Sequence, residues 1–318
     1  MITQPKLQNI RATHERISRH VNKTPVVSCA SLDGMVGAKL FFKCENFQKT
    51  GAFKFRGACN AVFLLSDEEA SRGVVTHSSG NFAAALASAA SKRDITARIV
   101  MPSNAPEVKV AAVKGYGGII TFCEPTLESR ETTAEKIIKE TGATFIHPYN
   151  DYHIIAGQGT AALELMEEIP DLDFLLAPVG GGGLLSGTAI AAKGLNPEIK
   201  VIGCEPKNAD DACRSMKAGR IIPSENPNTI ADGLRTSLGD KTFPIIRDLA
   251  DEILLATEEE IVTAMRHIFE RMKIVAEPSA AVPVAVLLTD QLNVKDKRVG
   301  VIISGGNVDF GRFFKGVR

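Results

Sequence analysis

Short apolar runs alternate with longer segments of helical periodicity along almost the whole sequence. The short runs are rich in β-branched residues, and this alternation is typical of β-α units that build parallel sheets. The predicted strands are 39–45, 73–77, 97–101, 118–122, 143–147, 174–179, 200–205, 252–256 and 298–304. The sequence therefore predicts an α/β protein with two doubly wound lobes and mostly parallel sheets.

Four helices are predicted between these strands, beginning at Glu107, Glu128, Thr257 and Pro278. Thr257 and Glu260 have the spacing of a capping box, which marks a helix N-terminus. A chain of 318 residues, of which 44% are hydrophobic, can bury the cores of two lobes. We expect residues 1–72 and 150–318 to form a large lobe and residues 73–149 a small one.

The charge balance limits the kinds of molecule that the protein can bind, and the cysteines indicate the compartment in which it lies. Thirty-seven basic and thirty-seven acidic side chains cancel, so we expect neither nucleic acid nor an anionic membrane as a partner. The six cysteines have no metal-finger spacing, which is typical of reduced thiols. The sequence begins without the apolar stretch of a signal peptide and has no membrane-spanning run. These features predict a cytoplasmic protein with a small-molecule ligand.

Four consecutive glycines follow a predicted strand and precede a predicted helix. They are Gly180, Gly181, Gly182 and Gly183. Successive backbone N–H groups in such a loop can bind an anion, with the positive end of the helix behind them. The loop has neither the lysine of a P-loop nor the spacing of a dinucleotide fingerprint. A tight turn for close helix–sheet packing is the alternative, but each glycine costs up to about 1 kcal/mol of backbone entropy. We therefore favour a phosphate-binding loop.

A lysine in the segment KTGAFKFRG has an unusual neighbourhood. Lys54 lies between Phe53 and Phe55 and is closely flanked by Gly51 and Gly57. Partial desolvation of its ammonium favours the neutral amine, which can attack an aldehyde to form a Schiff base. An aldehyde cofactor with a phosphate group would use both this lysine and the glycine loop. Pyridoxal 5'-phosphate has both features.

Two other strands are followed by loops of small polar residues. THSSGN contains Ser78, Ser79 and Asn81, and ISGGN contains Ser304 and Asn307. The first loop offers hydroxyl, amide and backbone N–H groups that suit a carboxylate. Each loop taken alone is equally consistent with ordinary helix N-capping.

Taken together and in order, AFKFRGA, SSGN, GGGGLLSG and SGGN resemble the motifs of fold-type II pyridoxal-phosphate enzymes, the tryptophan synthase β-like superfamily. The resemblance covers practically the whole chain. The segments FFKCENFQKTGAFKFRGA, AGQGTAALE, EPKNADD, TIADGL and ISGGNVD are most similar to the branch of eukaryotic-type serine racemases and of serine/threonine and hydroxyaspartate dehydratases.

The resemblance implies a role for several residues around the cofactor, which the large lobe would bind. Lys54 would bond covalently to pyridoxal phosphate, and Phe53 would pack on its ring. Asn81 would bind the 3'-oxygen of the ring. The glycine loop, Gly180–Gly183, would hold the phosphate. Ser304 would face the pyridine nitrogen, and a hydroxyl there makes the cofactor a moderate electron sink.

The implied reaction is dehydration of serine or 3-hydroxyaspartate to a keto acid and ammonia. The Lys54 amine would remove the α-proton. Ser79 would lie on the opposite face of the ring, where a second proton-transfer group permits racemisation. The implied substrate-binding residues are Ser78, Ser79, Gly80, Asn81, Arg130 and Tyr149.

The segment EPKNADD matches the family's divalent-cation site. Glu205, Asp211 and the carbonyl group of Ala209 would supply oxygen ligands that suit Mg²⁺, with Ca²⁺ or Mn²⁺ as alternatives. A solvated acidic helix start is the other interpretation. The resemblance also implies a homodimer. Cys29 and Ala30 stand where nucleotide-binding relatives have two serines, so we do not expect activation by ATP.

Two departures from the family pattern leave the substrate open. Phe82 stands where most relatives have histidine after SSGN. Arg130 either turns inward, where its guanidinium would favour 3-hydroxyaspartate or serine over threonine, or lies on the surface of its helix. The alternatives are a catabolic threonine dehydratase, a cysteine-synthase-like β-replacement enzyme and a non-catalytic metabolite-binding protein. We expect all six histidines to be structural.

Overall fold

In the computed structural model, which describes residues 3–309, the chain folds around two β-sheets. A six-stranded sheet has the order β1-β2-β10-β7-β8-β9, and a four-stranded sheet has the order β5-β4-β3-β6. The strands are β1 Val26–Val27, β2 Lys39–Cys44, β3 Val74–His77, β4 Ala97–Pro102, β5 Ile119–Cys123, β6 Thr144–Phe145, β7 Phe174–Pro178, β8 Lys200–Pro206, β9 Glu252–Ala256 and β10 Arg298–Ile303. Neighbouring strands in the described residues are parallel, except for β1 and β2. The predicted α/β fold with mostly parallel sheets is confirmed.

Helices connect the strands of both sheets. They are α1 Leu7–Ile17, α2 Ala30–Val36, α3 Lys54–Leu64, α4 Asp67–Arg72, α5 Asn81–Lys92, α6 Glu107–Gly115, α7 Leu127–Thr141, α8 Tyr152–Glu168, α9 Gly183–Leu195, α10 Asp211–Ala218, α11 Thr242–Leu249, α12 Glu258–His267 and α13 Pro278–Leu287. None of the described helices has the combined length and apolarity that crossing a membrane requires.

The nine predicted strands all form, and the capping box does as well. The Glu260 N–H donates to Thr257 Oγ1 at 3.3 Å, and the Thr257 N–H donates to Glu260 Oε2 at 2.7 Å. The strand predicted at 143–147 is shorter, Thr144–Phe145. The sequence prediction missed β1, because two residues are too few to show a periodicity.

Helix α3 packs in the core of the four-stranded sheet, although it precedes that sheet in the sequence. Phe55 and Ala58 of α3 lie in one buried cluster with Phe82 of α5 and Ile99 of β4. The strands of this sheet all fall within residues 73–149. The division of the chain into lobes at these boundaries stays a prediction.

A buried network of charged side chains lies behind α3. The Arg56 guanidinium donates to Glu45 Oε2 and to Glu164 Oε1, both at 2.7 Å. Lys43 Nζ donates to the other oxygen of Glu164 at 2.6 Å. Two cations and two carboxylates thus balance in a region where all four side chains are buried. Through Arg56, the network connects α3 to β2 and α8.

Candidate active site

The carboxyl ends of three parallel strands supply the loops around Lys54. β7 leads into the glycine loop, β3 into Ser78–Asn81, and β10 into Ser304. The Phe53 N–H donates to the Ser304 carbonyl at 2.9 Å, and Ala52 forms a bridge with Gly305. These contacts place the start of α3 at the end of β10, where ligands bind in doubly wound folds.

Lys54, the first residue of α3, is half-buried among aromatic rings. Its Nζ donates to the Pro148 carbonyl at 2.9 Å. The ring centroids lie 5.1 Å from Nζ for Phe53, and 5.9 Å for both Phe82 and Tyr149. This is the desolvated environment that the sequence predicts.

Burial lowers the pKa of Lys54 to about 8, and the carboxylate of Glu277 opposes that shift. A lysine in water has a pKa near 10.5, at which the neutral amine is scarce at physiological pH. The lowered pKa therefore makes the neutral, nucleophilic amine available.

The glycine loop has no room for side chains. Gly182 has a φ of +87°, a conformation that L side chains rarely adopt. A Cβ atom at Gly181 would lie 2.4 Å from the ring of Tyr149, which therefore covers the loop. Helix α9 begins at Gly183. A backbone-only loop at the start of a helix suits a phosphate group.

The loop between β3 and α5 contains the two serines. The Ser78 N–H donates to the Val100 carbonyl at 3.1 Å, and Ser78 Oγ accepts from the Gly80 N–H at 3.4 Å. Ser79 is half-buried, and its hydroxyl forms no hydrogen bond with any described residue. The Ser79 hydroxyl can therefore interact with a ligand.

Two partners, Glu277 and Asn307, orient the side-chain amide of Asn81, which is the first residue of α5. Its Nδ2 donates to Glu277 Oε1 and Oε2 at 2.9 and 3.0 Å. Its Oδ1 accepts from Asn307 Nδ2 at 3.0 Å. Burial raises the pKa of Glu277 to about 7, and the Asn81 hydrogen bond opposes this. The sequence prediction missed Glu277, because a glutamate before a helix proline resembles any acidic residue at a helix N-terminus.

Ser304 is buried at the end of β10. The next residue, Gly305, approaches Glu277 so closely that a Cβ atom there would lie 2.8 Å from Glu277 Oε1. Ser304 therefore lies close to the pair formed by Glu277 and Asn81.

His147 determines the conformation of the loop that faces Lys54. Its Nδ1 accepts the Asn150 N–H at 2.9 Å and the Tyr149 N–H at 3.3 Å. Burial lowers the pKa of His147 to about 4, with smaller contributions from His77 and Lys54. The imidazole is therefore neutral, which agrees with the structural role expected from the sequence.

Arg130, on α7, is half-buried. Its Nε is buried and has no hydrogen-bond partner among the described residues. Burial lowers the pKa of His77, at the end of β3, and the positive charge of Arg130 adds to that effect. Arg130 therefore lies within electrostatic range of the serine loop.

The predicted cation ligands lie at the end of β8 and the start of α10. Glu205 is fully buried and accepts the N–H groups of Ala212 and Cys213, both at 3.0 Å. Both carboxylate oxygens of Asp211 are buried and form no close hydrogen bond with the described residues, although the Ser224 side chain and the Leu238 N–H lie near enough to oppose the rise of its pKa. Burial raises the pKa of Glu205 to about 9 and that of Asp211 to about 6.

These unsatisfied oxygens fit a divalent cation, because a buried carboxylate without a partner is costly. The described residues contain no group of three or more His, Cys, Asp and Glu side chains arranged for a metal. A cation here would therefore need backbone carbonyl groups or water as well. Ala209, buried in the turn between Glu205 and Asp211, is a candidate for such a carbonyl ligand.

A family model described as "Pyridoxal-phosphate dependent enzyme" matches residues 17–305. The chain belongs to this family. The resemblance to fold-type II pyridoxal-phosphate enzymes is thereby confirmed, and with it an enzymatic function. Pyridoxal phosphate is accordingly the cofactor, and the desolvated lysine and the backbone-only glycine loop fit its aldehyde and phosphate groups.

Individual members of the pyridoxal-phosphate family are similar to this chain over nearly its full length. A serine racemase from Oryza sativa subsp. indica is 51% identical over 310 residues, which cover 96% of this chain and 91% of the relative. A beta-hydroxyaspartate dehydratase from Paracoccus denitrificans (strain Pd 1222) is 51% identical over 308 residues, covering 97% and 98%. The solved structure of maize serine racemase superimposes with a TM-score of 0.97 at 49% identity, covering 99% of this chain and 97% of that one.

Proposed function

We propose that this enzyme dehydrates a small β-hydroxy amino acid, serine or 3-hydroxyaspartate, to a keto acid and ammonia, and that it also racemises its substrate. The observation that carries the proposal is the Lys54 amine, desolvated beside Tyr149, whose ring covers the glycine loop. The similarity to a serine racemase and to a hydroxyaspartate dehydratase supports the choice of substrates.

Lys54 binds the cofactor and then acts as a base. When bound, pyridoxal phosphate withdraws electrons from the substrate's α-carbon, which makes its proton acidic. With a substrate bound, the Lys54 amine would be free to act at the α-carbon. Its lowered pKa makes it suitable to accept that proton near neutral pH.

Ser79 is our candidate for the second proton-transfer group, because its hydroxyl has no partner among the described side chains. Removal of a proton by one residue and its return by another inverts the α-carbon. The same loop can bind the substrate's α-carboxylate through the N–H groups of Ser79 and Asn81, at the positive end of α5, because those of Ser78 and Gly80 already donate within the protein. Arg130 and Tyr149 would contact the substituent on the β-carbon.

We further propose a cation site, an assembly and a compartment. Glu205, Asp211 and the Ala209 carbonyl would bind Mg²⁺, supported by the unsatisfied oxygens of Asp211. The enzyme would be a homodimer, as the family resemblance implies. It would be cytoplasmic, because six free cysteines in one chain are typical of a reducing compartment.

The test is keto-acid formation by the purified enzyme from L-serine, L-threonine and the stereoisomers of 3-hydroxyaspartate, with Lys54→Ala as the inactive control. Serine or a hydroxyaspartate isomer should be turned over most efficiently. If threonine is the best substrate, the enzyme is a threonine dehydratase. The Ser79→Ala variant should lose racemisation while retaining some dehydration of the L-isomer. Unchanged racemisation would refute the role of Ser79.

A further inference from the structure

Glu277 and Asn307 hold the side-chain amide of Asn81 from two directions. Both Glu277 oxygens lie within hydrogen-bond distance of Asn81 Nδ2, at 2.9 and 3.0 Å. Asn307 donates one N–H to Asn81 Oδ1 at 3.0 Å and another to the Thr50 carbonyl at 2.7 Å. Asn81 is the first residue of α5, which packs against the four-stranded sheet. Glu277 directly precedes α13, which packs against the six-stranded sheet. The contact therefore links the two sheets.

These partners permit only one orientation of the amide. If the Asn81 side chain were flipped, its Oδ1 would face the Glu277 carboxylate and its Nδ2 would face the amide nitrogen of Asn307. Both pairs would be repulsive, because a carboxylate only accepts hydrogen bonds and an amide nitrogen only donates them. In the observed orientation, one N–H of Asn81 Nδ2 can serve both Glu277 oxygens, because the two oxygens of a carboxylate lie on the same side of that nitrogen. The second N–H is available for a ligand.

We propose that Glu277 is a positioning residue, which fixes the Asn81 amide so that its remaining N–H binds the ring oxygen of the cofactor. The inference rests on the proposed function, which assigns that ring contact to Asn81. Glu277 suits the role because the residue is only 4% exposed, so that water competes little with Asn81 for its carboxylate. A negative charge at this position also strengthens the polarisation of the amide.

The charged groups around Glu277 are Lys54, Asp232 and Lys109. Burial, together with Asp232, raises the pKa of Glu277 to about 7, whereas Asn81 and Lys109 oppose the shift. Lys109, on α6, forms an ion pair with Asp232. A protonated Glu277 is a weaker hydrogen-bond acceptor for Asn81. The hydrogen bond that orients the Asn81 amide should therefore weaken as the pH falls below about 7.

The experiment is a double-mutant cycle on the holoenzyme, with Glu277→Gln, Asn81→Ala and the double variant compared with the parent. Two quantities are measured: the dissociation constant of pyridoxal phosphate, and the pH dependence of the visible absorption band of the bound cofactor. Glu277→Gln keeps the shape of the side chain but removes the charge. The exposed Glu252→Gln is the matched control.

We expect Glu277→Gln to weaken cofactor binding about 10-fold, because a hydrogen bond to a charged group is replaced by a neutral one, and because the glutamine can also turn its amide nitrogen towards Asn81. We also expect it to abolish the spectral transition near neutral pH. In the Asn81→Ala background the same substitution should change the dissociation constant less than about 2-fold. Melting temperatures of the holoenzymes identify any variant that is misfolded. If Glu277→Gln misfolds, the same cycle is run with Glu277→Asp. Aspartate keeps the negative charge, but its shorter side chain places the carboxylate farther from Asn81.

Two results would overturn the inference. An equal effect of Glu277→Gln in both backgrounds would mean that Glu277 acts independently of Asn81, and an unchanged spectral transition would mean that its charge is not sensed by the cofactor. A parent protein that binds no pyridoxal phosphate would instead contradict the proposed function itself. The role proposed for Glu277 would then be wrong as well.

Discussion

Lys54 Nζ lies 2.9 Å from the carbonyl oxygen of Pro148, to which it donates a hydrogen bond. This carbonyl belongs to the loop whose conformation His147 determines through the N–H groups of Tyr149 and Asn150. The lysine that we propose as the cofactor-binding residue is thus oriented by a segment far from it in the sequence. The same burial that positions the amine also disfavours its charge.

In the cofactor-free protein, the desolvated ammonium of Lys54 should lower stability at neutral pH. Its pKa is about 8 in the folded protein and near 10.5 in the unfolded chain. The penalty is therefore complete below pH 8 and disappears as the pH rises towards 10.5. We expect cofactor-free Lys54→Met to be more stable than the parent at pH 7 by about 1–3 kcal/mol, with the difference shrinking by pH 10. Urea unfolding at several pH values measures it.

The control for this prediction is Lys23→Met, since Lys23 is exposed. Its effect should not depend on pH in this range. A stability difference for Lys54→Met that stays constant from pH 7 to pH 10 would contradict the desolvation argument.

Gly182→Ala should damage both the fold and cofactor binding. The Cβ atom would lie 2.8 Å from Ile246 and Leu238 atoms, and φ is +87°. We expect a loss of about 2–4 kcal/mol in the free energy of unfolding and weaker binding of pyridoxal phosphate. Gly34→Ala is the control, because it lies in helix α2 with no atom within 4 Å of the added Cβ. Equal stability of the two variants would show that the loop tolerates side chains.

Arg56→Met should destabilise the protein strongly. It would leave Glu45 without its buried cation and Glu164 with one of its two buried cations, Lys43. Breaking a buried ion pair from one side costs about 3–5 kcal/mol. Chemical denaturation gives the free energy of unfolding.

Arg11→Met tests whether burial is the reason, because the ion pair between Arg11 and Glu167 is exposed. It should cost at most about 1 kcal/mol. A cost that small for Arg56→Met as well would mean that the buried network contributes little.

Arg130→Ala should reduce kcat/KM for 3-hydroxyaspartate about 10- to 100-fold, the loss expected for a hydrogen bond between charged groups. Turnover of serine, which lacks the distal carboxylate, should change little. Lys136→Ala, an exposed change on the same helix, is the control. Equal losses on both substrates would remove the proposed role of Arg130.

Mg²⁺ should stabilise the enzyme through Asp211. A site saturated at about 100 times its dissociation constant adds about 2.7 kcal/mol, which thermal unfolding with Mg²⁺ and with a chelator would detect. Asp211→Asn should remove the response to Mg²⁺. Asp210→Asn should keep it, since Asp210 pairs with Arg214 instead. If neither Mg²⁺ nor the chelator changes the thermal unfolding of the parent enzyme, Glu205 and Asp211 have a purely structural role.

The sequence by itself determined the elements whose signals are local. The strand–helix alternation, the capping box at Thr257 and the glycine loop each depend on residues within one short segment. Backbone propensity and hydrophobic periodicity act over that range, so these features could be predicted. The sequence motifs also predicted the pyridoxal-phosphate enzyme family, which the comparisons confirm.

Only the tertiary structure decided which distant side chains meet. Asn81 and Glu277 are 196 positions apart, and Arg56 and Glu164 are 108 apart. Neither pair has a local pattern, because an acidic residue before a helix or on its surface looks the same whether it is solvated or buried against a partner. The partial burial of Arg130 was open for the same reason. Burial and partner choice depend on how the two sheets pack around α3, and that packing is a property of the whole chain.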